Sequence, residues 1–286
     1  MKGRHRCFVN GVFLRYSVTY ILKMLCVAAL LAVGFAMARG QGAQINVAAA
    51  ADLTFALNEI VKEYESQTHN KIKIVYGSSG NFFSQIQNGA PFDVFLSADL
   101  EYPRKLQTAG LAEPGTLYRY AIGEIALWCP ANLGLDLKNK NWDALKDPRV
   151  QKIAMANPAH APYGRAAQAA LQSSGIYSQI QPKLVYGENI SQAAQFVQSG
   201  NAQIGIVALS LALSPAMKSG ERWEIPGDMH EPIEQAAVVL KRTKDKPAAR
   251  SFVNFLSGDT ARGILVDYGF TFPMHVPVPP PTKRKP

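Results

Sequence analysis

The sequence predicts an α/β protein whose sheets are mostly parallel. Two patterns carry that expectation. Short apolar runs alternate with helically spaced stretches along almost the whole chain from Ile45 to Tyr268. The junctions where runs give way to helices are made of small residues, glycine and hydroxyls rather than long polar loops. The chain has 286 residues, 48% of them apolar and 18% charged, which is enough to bury one large core or two medium ones.

The elements follow in order. Ile45–Ala50 reads as a buried strand, and Leu53, Ala56, Leu57, Ile60, Val61 and Tyr64 share one face of a helix after it. Lys71–Tyr76 alternates with a period of two, Phe82–Ile86 is a short helix ended by Asn88-Gly89, and Asp93–Ser97 is a third strand. Glu101–Thr108 is helical and stops at Gly110. Tyr118–Cys129 is a long β-rich stretch marked by Gly123. The alternation then resumes with a strand at Lys152–Ala156, a helix at Arg165–Gln172, a strand at Lys183–Tyr186, a helix at Ser191–Gln198 and a strand at Gln203–Val207. Ile233–Leu240 is a further strand, and Pro247–Leu256 and Thr260–Tyr268 are closing helices. No period of 20 to 50 residues repeats along the sequence.

The net charge of +9 suggests a nucleic-acid or membrane-surface partner, but its distribution argues against one. Lys2, Arg4, Arg6, Arg15 and Lys23 precede residue 39 with no acidic residue among them, and Lys283, Arg284 and Lys285 end the chain. These eight account for all but one of the net positive charges, so the body offers no electrostatic footprint for DNA or RNA. The basic start leads into the apolar run Met24–Ala38, which ends in Ala36-Met37-Ala38, small residues where a signal peptidase reads. That run is 15 residues long, against roughly 20 needed to span a bilayer. Residues 1–38 are therefore read as a cleaved signal and the protein as periplasmic. Cys7 and Cys26 go with the signal. Cys129 follows an apolar strand and reads as core packing, so the mature chain has no internal disulfide. Residues 273–286, proline-rich and basic, form a tail that cannot build a core.

Ligands of open α/β sheets bind beyond the carboxyl ends of the strands. Those ends lead into Ala49-Ala50-Ala51-Asp52, Gly77-Ser78-Ser79-Gly80, Leu96-Ser97-Ala98-Asp99, His160-Ala161-Pro162-Tyr163-Gly164 and Glu188-Asn189-Ile190-Ser191. None contains lysine or arginine. Helix N-termini carry unpaired N–H groups and a positive dipole end, so several aimed at one point form an anion site without a cationic side chain. Neutral donors suit a fully deprotonated oxyanion, which accepts hydrogen bonds everywhere and donates none.

On these segments the chain resembles the periplasmic molybdate-binding proteins of ABC importers. The stretches that carry the resemblance are Val47–Thr54, Tyr76–Gly80, Gly89–Asp99 (GAPFDVFLSAD), Ala121–Gly123, Asn157–Gly164 with its HAPYG end, Gly205–Val207 and Tyr268–Phe270. It implies a two-lobed type II periplasmic binding protein, each lobe a mostly parallel sheet flanked by helices, with the ligand in the cleft between lobes. Lobe 1 would comprise residues 44–122 and 232–272, and lobe 2 residues 123–231. It also implies a monomer that binds molybdate or tungstate without a cofactor and delivers it to a membrane permease, with molybdenum held as its oxyanion and never as a free metal cation. Carried over by position, the ligand shell is Asp52, Ser79, Ala98, Tyr163 and Ile190. Ser79 supplies a hydroxyl and a backbone N–H, Ala98 and Ile190 supply backbone donors, and Tyr163 supplies a hydroxyl. Ala208 stands where another subgroup has its tyrosine.

Asp52 departs from the serine or asparagine usual at its position. A carboxylate beside a dianion repels it. Either Asp52 turns away to cap its helix with its backbone N–H still facing the ligand, or the matching position is one residue away, or the carboxylate faces the ligand as an acceptor, which would suit a protonated oxyanion such as hydrogen phosphate. Phosphate and sulfate are thus the alternative cargo. An enzyme reading would combine Ser79 with His160 and Asp52 or Asp99 as a hydrolytic triad, but the serine lacks the Gly-x-Ser-x-Gly elbow. No residue spacing suits a metal ion or a P-loop.

Overall fold

The computed structural model describes residues 42–272. The signal at 1–38 and the tail at 273–286 lie outside the described residues. The body holds two five-stranded sheets of the same design.

The first sheet contains β1 (Gln44–Ala50), β2 (Lys71–Gly77), β3 (Val94–Ser97), β4 (Tyr118–Gly123) and β10 (Ile233–Val239), in the order β2-β1-β3-β10-β4. The second contains β5 (Ile125–Cys129), β6 (Ile153–Ala156), β7 (Leu184–Gly187), β8 (Ile204–Ala208) and β9 (Glu221–Glu224), in the order β7-β6-β8-β5-β9. In each, three neighbouring strands pair in parallel, and one antiparallel strand stands between them and a fourth strand of their own direction. The inserted strand is the one that arrives from the other sheet: β5 directly follows β4, and β10 follows β9. The stretch read as one long strand at Tyr118–Cys129 is therefore two strands broken at Glu124, whose carbonyl accepts from Leu209 N–H at 2.8 Å.

Burial explains the strand sequences. Central β1, β3, β6 and β8 are almost wholly buried, so their runs are largely apolar rather than alternating. Edge strand β2 alternates exposed and half-buried positions, which is why its sequence alternates. β9 (ERWE) is a second edge strand without an apolar run, and no strand was expected there.

The helices that matter to function start at strand ends. They are α1 (Thr54–Gln67), α2 (Ser79–Gln87), α3 (Glu101–Thr108), α4 (Pro162–Ser173) and α5 (Ile190–Gln198), with α6 (Lys246–Phe255) and α7 (Asp259–Asp267) closing the chain. The expected stripe on α1 is buried at Ala56, Leu57, Ile60 and Tyr64. Tyr64 meets Phe252 and Phe255 of α6 edge-on, with ring centres 5.1 and 5.4 Å apart, a geometry favoured by the ring quadrupoles. Ser78 caps α2 by accepting from Asn81 N–H, and Asn189 caps α5 by accepting from Gln192 N–H at 3.0 Å. Pro162 occupies the first turn of α4, where no helical N–H is lost. Cys129 is fully buried, and burial pushes its thiol up to about 12, so it stays protonated as a packing residue. Among the described residues no helix is long and apolar enough to cross a membrane.

Candidate functional site

The carboxyl ends of the two parallel trios meet face to face. Helix starts from one sheet hydrogen-bond directly to those of the other. Ser191 Oγ, in the first turn of α5, donates to Ala51 O after β1 at 2.8 Å. Gly80 N–H, in the first turn of α2, donates to His160 O before α4 at 2.9 Å. A Cβ on Gly80 would lie 2.6 Å from that carbonyl, so the approach requires glycine. Ser78 Oγ and His160 Nδ1 are 2.9 Å apart, and Arg165 of α4 pairs with Asp99 at 2.6 Å while lying over the Tyr102 ring.

All five residues expected in the ligand shell fall in this junction and are buried: Asp52, Ser79, Ala98, Tyr163 and Ile190 are at most 3% exposed. Ser79 and Ala98 touch each other, since Ala98 N–H donates to Ser79 Oγ at 2.9 Å. Asp52 and Tyr163 also touch, the hydroxyl donating to Asp52 Oδ2 at 3.0 Å. Ile190 heads α5, beside the Ser191 that binds Ala51, the neighbour of Asp52.

Of the alternatives open for Asp52, the side-chain helix cap is not the one the structure shows. Asp52 lies in a single 3-10 turn, Ala51–Leu53, which has no side-chain cap, and its carboxyl meets Tyr163 from the other sheet's side and Gln235 from β10 of its own sheet. Oδ2 accepts from Tyr163 and, at 2.6 Å, from Gln235 Nε2. Gln235 also donates to Tyr163 Oη at 3.0 Å and accepts from Tyr120 Oη at 2.7 Å. Gly123 lets this cluster close, because a Cβ there would collide with the Tyr163 hydroxyl and come within 2.7 Å of Gln235 Nε2.

Burial sets the electrostatics. It pushes the Asp52 carboxyl up to about 6, against the hydrogen bonds from Gln235 and Tyr163 that pull it down. The Tyr163 hydroxyl is held well above the usual tyrosine range, first by burial and then by the charge of Asp52. Burial also raises Asp99 despite Arg165 beside it.

The hydrolytic triad does not assemble. His160 faces Ser78 rather than Ser79, Asp52 is engaged by Tyr163 and Gln235, and Asp99 is engaged by Arg165. Among the described residues no group of three His, Cys, Asp or Glu side chains could hold a metal ion. Gln235 and Tyr120 were not anticipated. The signal for Gln235 was a lone amide inside the apolar strand Ile233–Leu240, since a buried polar group requires a partner. Tyr120 carried no comparable signal.

Chemically, the junction joins neutral donors from hydroxyls and helix starts across two sheets, with the Asp99–Arg165 pair beside them and one carboxyl, Asp52, that has no cationic partner. The model of the bacterial extracellular solute-binding protein family matches residues 45–271. The molybdate-binding protein ModA of Azotobacter vinelandii is 39% identical over 254 residues, covering 88% of this chain and 99% of that protein. The molybdate-binding protein ModA of Rhodobacter capsulatus is 37% identical over 240 residues, covering 84% and 92%. The solved periplasmic molybdate-binding protein of Azotobacter vinelandii superposes with a TM-score of 0.75 at 35% identity, covering 80% of this chain and 99% of that one.

Proposed function

We infer what this chain carries from the family it belongs to, the bacterial extracellular solute-binding proteins. It is the periplasmic molybdate-binding component of an ABC importer, as its relatives' names and the shared two-sheet fold support. Tungstate, with nearly the same size and charge, is read as a second cargo. The relatives are binding proteins, so the chain acts by capture and delivery rather than by catalysis. It hands its ligand to a membrane permease, works as a monomer, and reaches the periplasm through a cleaved signal at residues 1–38.

One observation carries the site assignment. The five junction residues are all buried, Ser79 against Ala98 and Asp52 against Tyr163, and none of them bears a positive charge. We read Ser79 and Ile190 as donors to the anion through hydroxyl or backbone N–H and Ala98 as a donor whose N–H turns from Ser79 Oγ to the ligand, while Tyr163 acts through Asp52, the fifth member, to which its O–H is committed. The lobes are read as residues 44–122 with 232–272, and residues 123–231. The reading is supported by the crossings at β4–β5 and β9–β10. Capture then consists of closing one set of helix starts onto the other around the ligand.

Calorimetric titration of the mature chain, from about Arg39, with molybdate, tungstate, sulfate and phosphate tests this. One-to-one binding of molybdate and tungstate far tighter than of sulfate or phosphate is expected. A preference for sulfate or phosphate would reject the cargo assignment.

A further inference from the structure

Asp52 is an expensive residue to place in an anion site. It is 1% exposed, and it belongs to a cluster whose hydrogens can be counted. A tyrosine has one O–H and a glutamine amide two N–H donors. The single Tyr163 O–H goes to Asp52 Oδ2. Both Gln235 N–H groups are used, one on Asp52 Oδ2 and one on Tyr163 Oη. The Tyr120 O–H goes to Gln235 Oε1 or to Ser97 O. Asp52 Oδ1, though buried, meets no hydrogen-bond partner. Every side-chain proton of the cluster is therefore committed, and one buried oxygen is left over.

Among the described residues no cationic side chain pairs with Asp52 to hold it ionised beside a dianion. Tyr163 faces it from α4, Gln235 from β10, and Ser210 Oγ binds its own carbonyl at 2.8 Å. The charged groups that act on the cluster's tyrosines are acidic: Glu124 on Tyr163, and Asp99, already paired with Arg165, on Tyr120. His160 is held at Ser78, outside the cluster. An ionised carboxylate here would leave a buried charge unpaired and repel the incoming anion. A protonated Oδ1 would remove both costs and add the donor that the cluster lacks.

We propose that Asp52 binds the oxyanion as a neutral carboxylic acid, giving the Oδ1 proton as a hydrogen bond to a ligand oxygen, so that capture of one oxyanion takes up one proton from solvent. The step balances as carboxylate plus proton plus dianion going to carboxylic acid hydrogen-bonded to dianion, with no covalent bond to the ligand. The proposal rests on the oxyanion reading above and gives it a pH dependence. Burial already brings the free carboxyl to about 6, and a neighbouring dianion raises it further. Above that pH the free protein must be protonated on binding, so affinity falls about tenfold per pH unit. Below it, affinity is level.

The test is calorimetry of the mature protein with sodium molybdate between about pH 6 and 9, in buffers of differing ionisation enthalpy, with sodium phosphate as a second arm. The expected result is uptake of about one proton per molybdate near pH 8 and a Kd that rises about tenfold per unit above pH 6 to 7. Asp52→Asn, whose amide donates at every pH, should lose both the uptake and the slope. Molybdate binding by the wild-type protein with no proton uptake and a flat Kd would overturn the proposal and leave the oxyanion reading standing. Tight phosphate binding without uptake would overturn it too, because an ionised Asp52 would then accept a hydrogen bond from hydrogen phosphate. Failure to bind molybdate at any pH would overturn the reading on which it rests.

Discussion

Replacing Asp52 by asparagine should make the ligand-free protein more stable than wild type at neutral pH, and the gap should close in acid. The magnitude follows from burial. The folded carboxyl sits near 6, against an ordinary value of 3.8. Because the folded value is raised, the native state holds a proton that the unfolded chain has released. Full stability is thus present below about pH 4 and is lost as pH rises through about 6. A difference of about two units, at 1.36 kcal/mol each, makes that loss about 3 kcal/mol. Asparagine retains an acceptor for Gln235 and Tyr163 but cannot ionise. Urea unfolding of both proteins at about pH 4, 6 and 8, in buffer free of oxyanions, measures the gap. Circular dichroism should be followed beside fluorescence, since Trp128, Trp142 and Trp223 all lie in or beside the second sheet. Other carboxylates titrate alike in both proteins and cancel in the difference. With slopes in urea unchanged, the advantage of the variant should grow by about 3 kcal/mol between pH 4 and pH 8. Parallel stability curves would show that Asp52 is not strained by ionisation, and the argument from its burial would be wrong.

The other predictions concern the junction. Tyr163→Phe removes the O–H that reaches Asp52 and should weaken molybdate binding by about 1–3 kcal/mol in calorimetry; unchanged affinity would remove Tyr163 from the shell. Ser79→Ala leaves the buried Ala98 N–H without its acceptor and should cost about 1–3 kcal/mol of folding stability as well as affinity, measured by urea unfolding and titration. Gly80→Ala places a methyl against His160 O across the junction. It should lower oxyanion affinity at least tenfold with little change in Tm, because it obstructs the contact between sheets rather than either core. Arg165→Met breaks the Asp99 pair across the same junction. Small-angle scattering of the ligand-free variant should then show a larger radius of gyration than wild type.

The junction was legible in the sequence because its chemistry is local. Small residues, glycines and hydroxyls at Ala49–Asp52, Gly77–Gly80, Leu96–Asp99, His160–Gly164 and Glu188–Ser191 mark strand ends and helix starts one at a time. The parallel trios then bring those ends together. Strand direction was not legible, since an apolar run reads the same either way, so the antiparallel entry of β5 and β10 appears only in the sheets. The break at Glu124 was hidden for the same reason: buried strands on either side of a sheet change look like one long strand. Partners were least legible of all. An Asp at a helix start has N–H groups within reach and reads as a cap, but Gln235 lies 183 residues along the chain and Tyr163 lies 111. Nothing local to Asp52 announces either one. What the sequence did contain was the imbalance: a carboxylate in a donor-lined junction on one strand end, and a lone amide in an apolar strand far away. Each is costly to bury alone. Their pairing satisfies the amide in full and the carboxyl on one oxygen, so the cost that remains is concentrated on Asp52 Oδ1, where a single proton can relieve it.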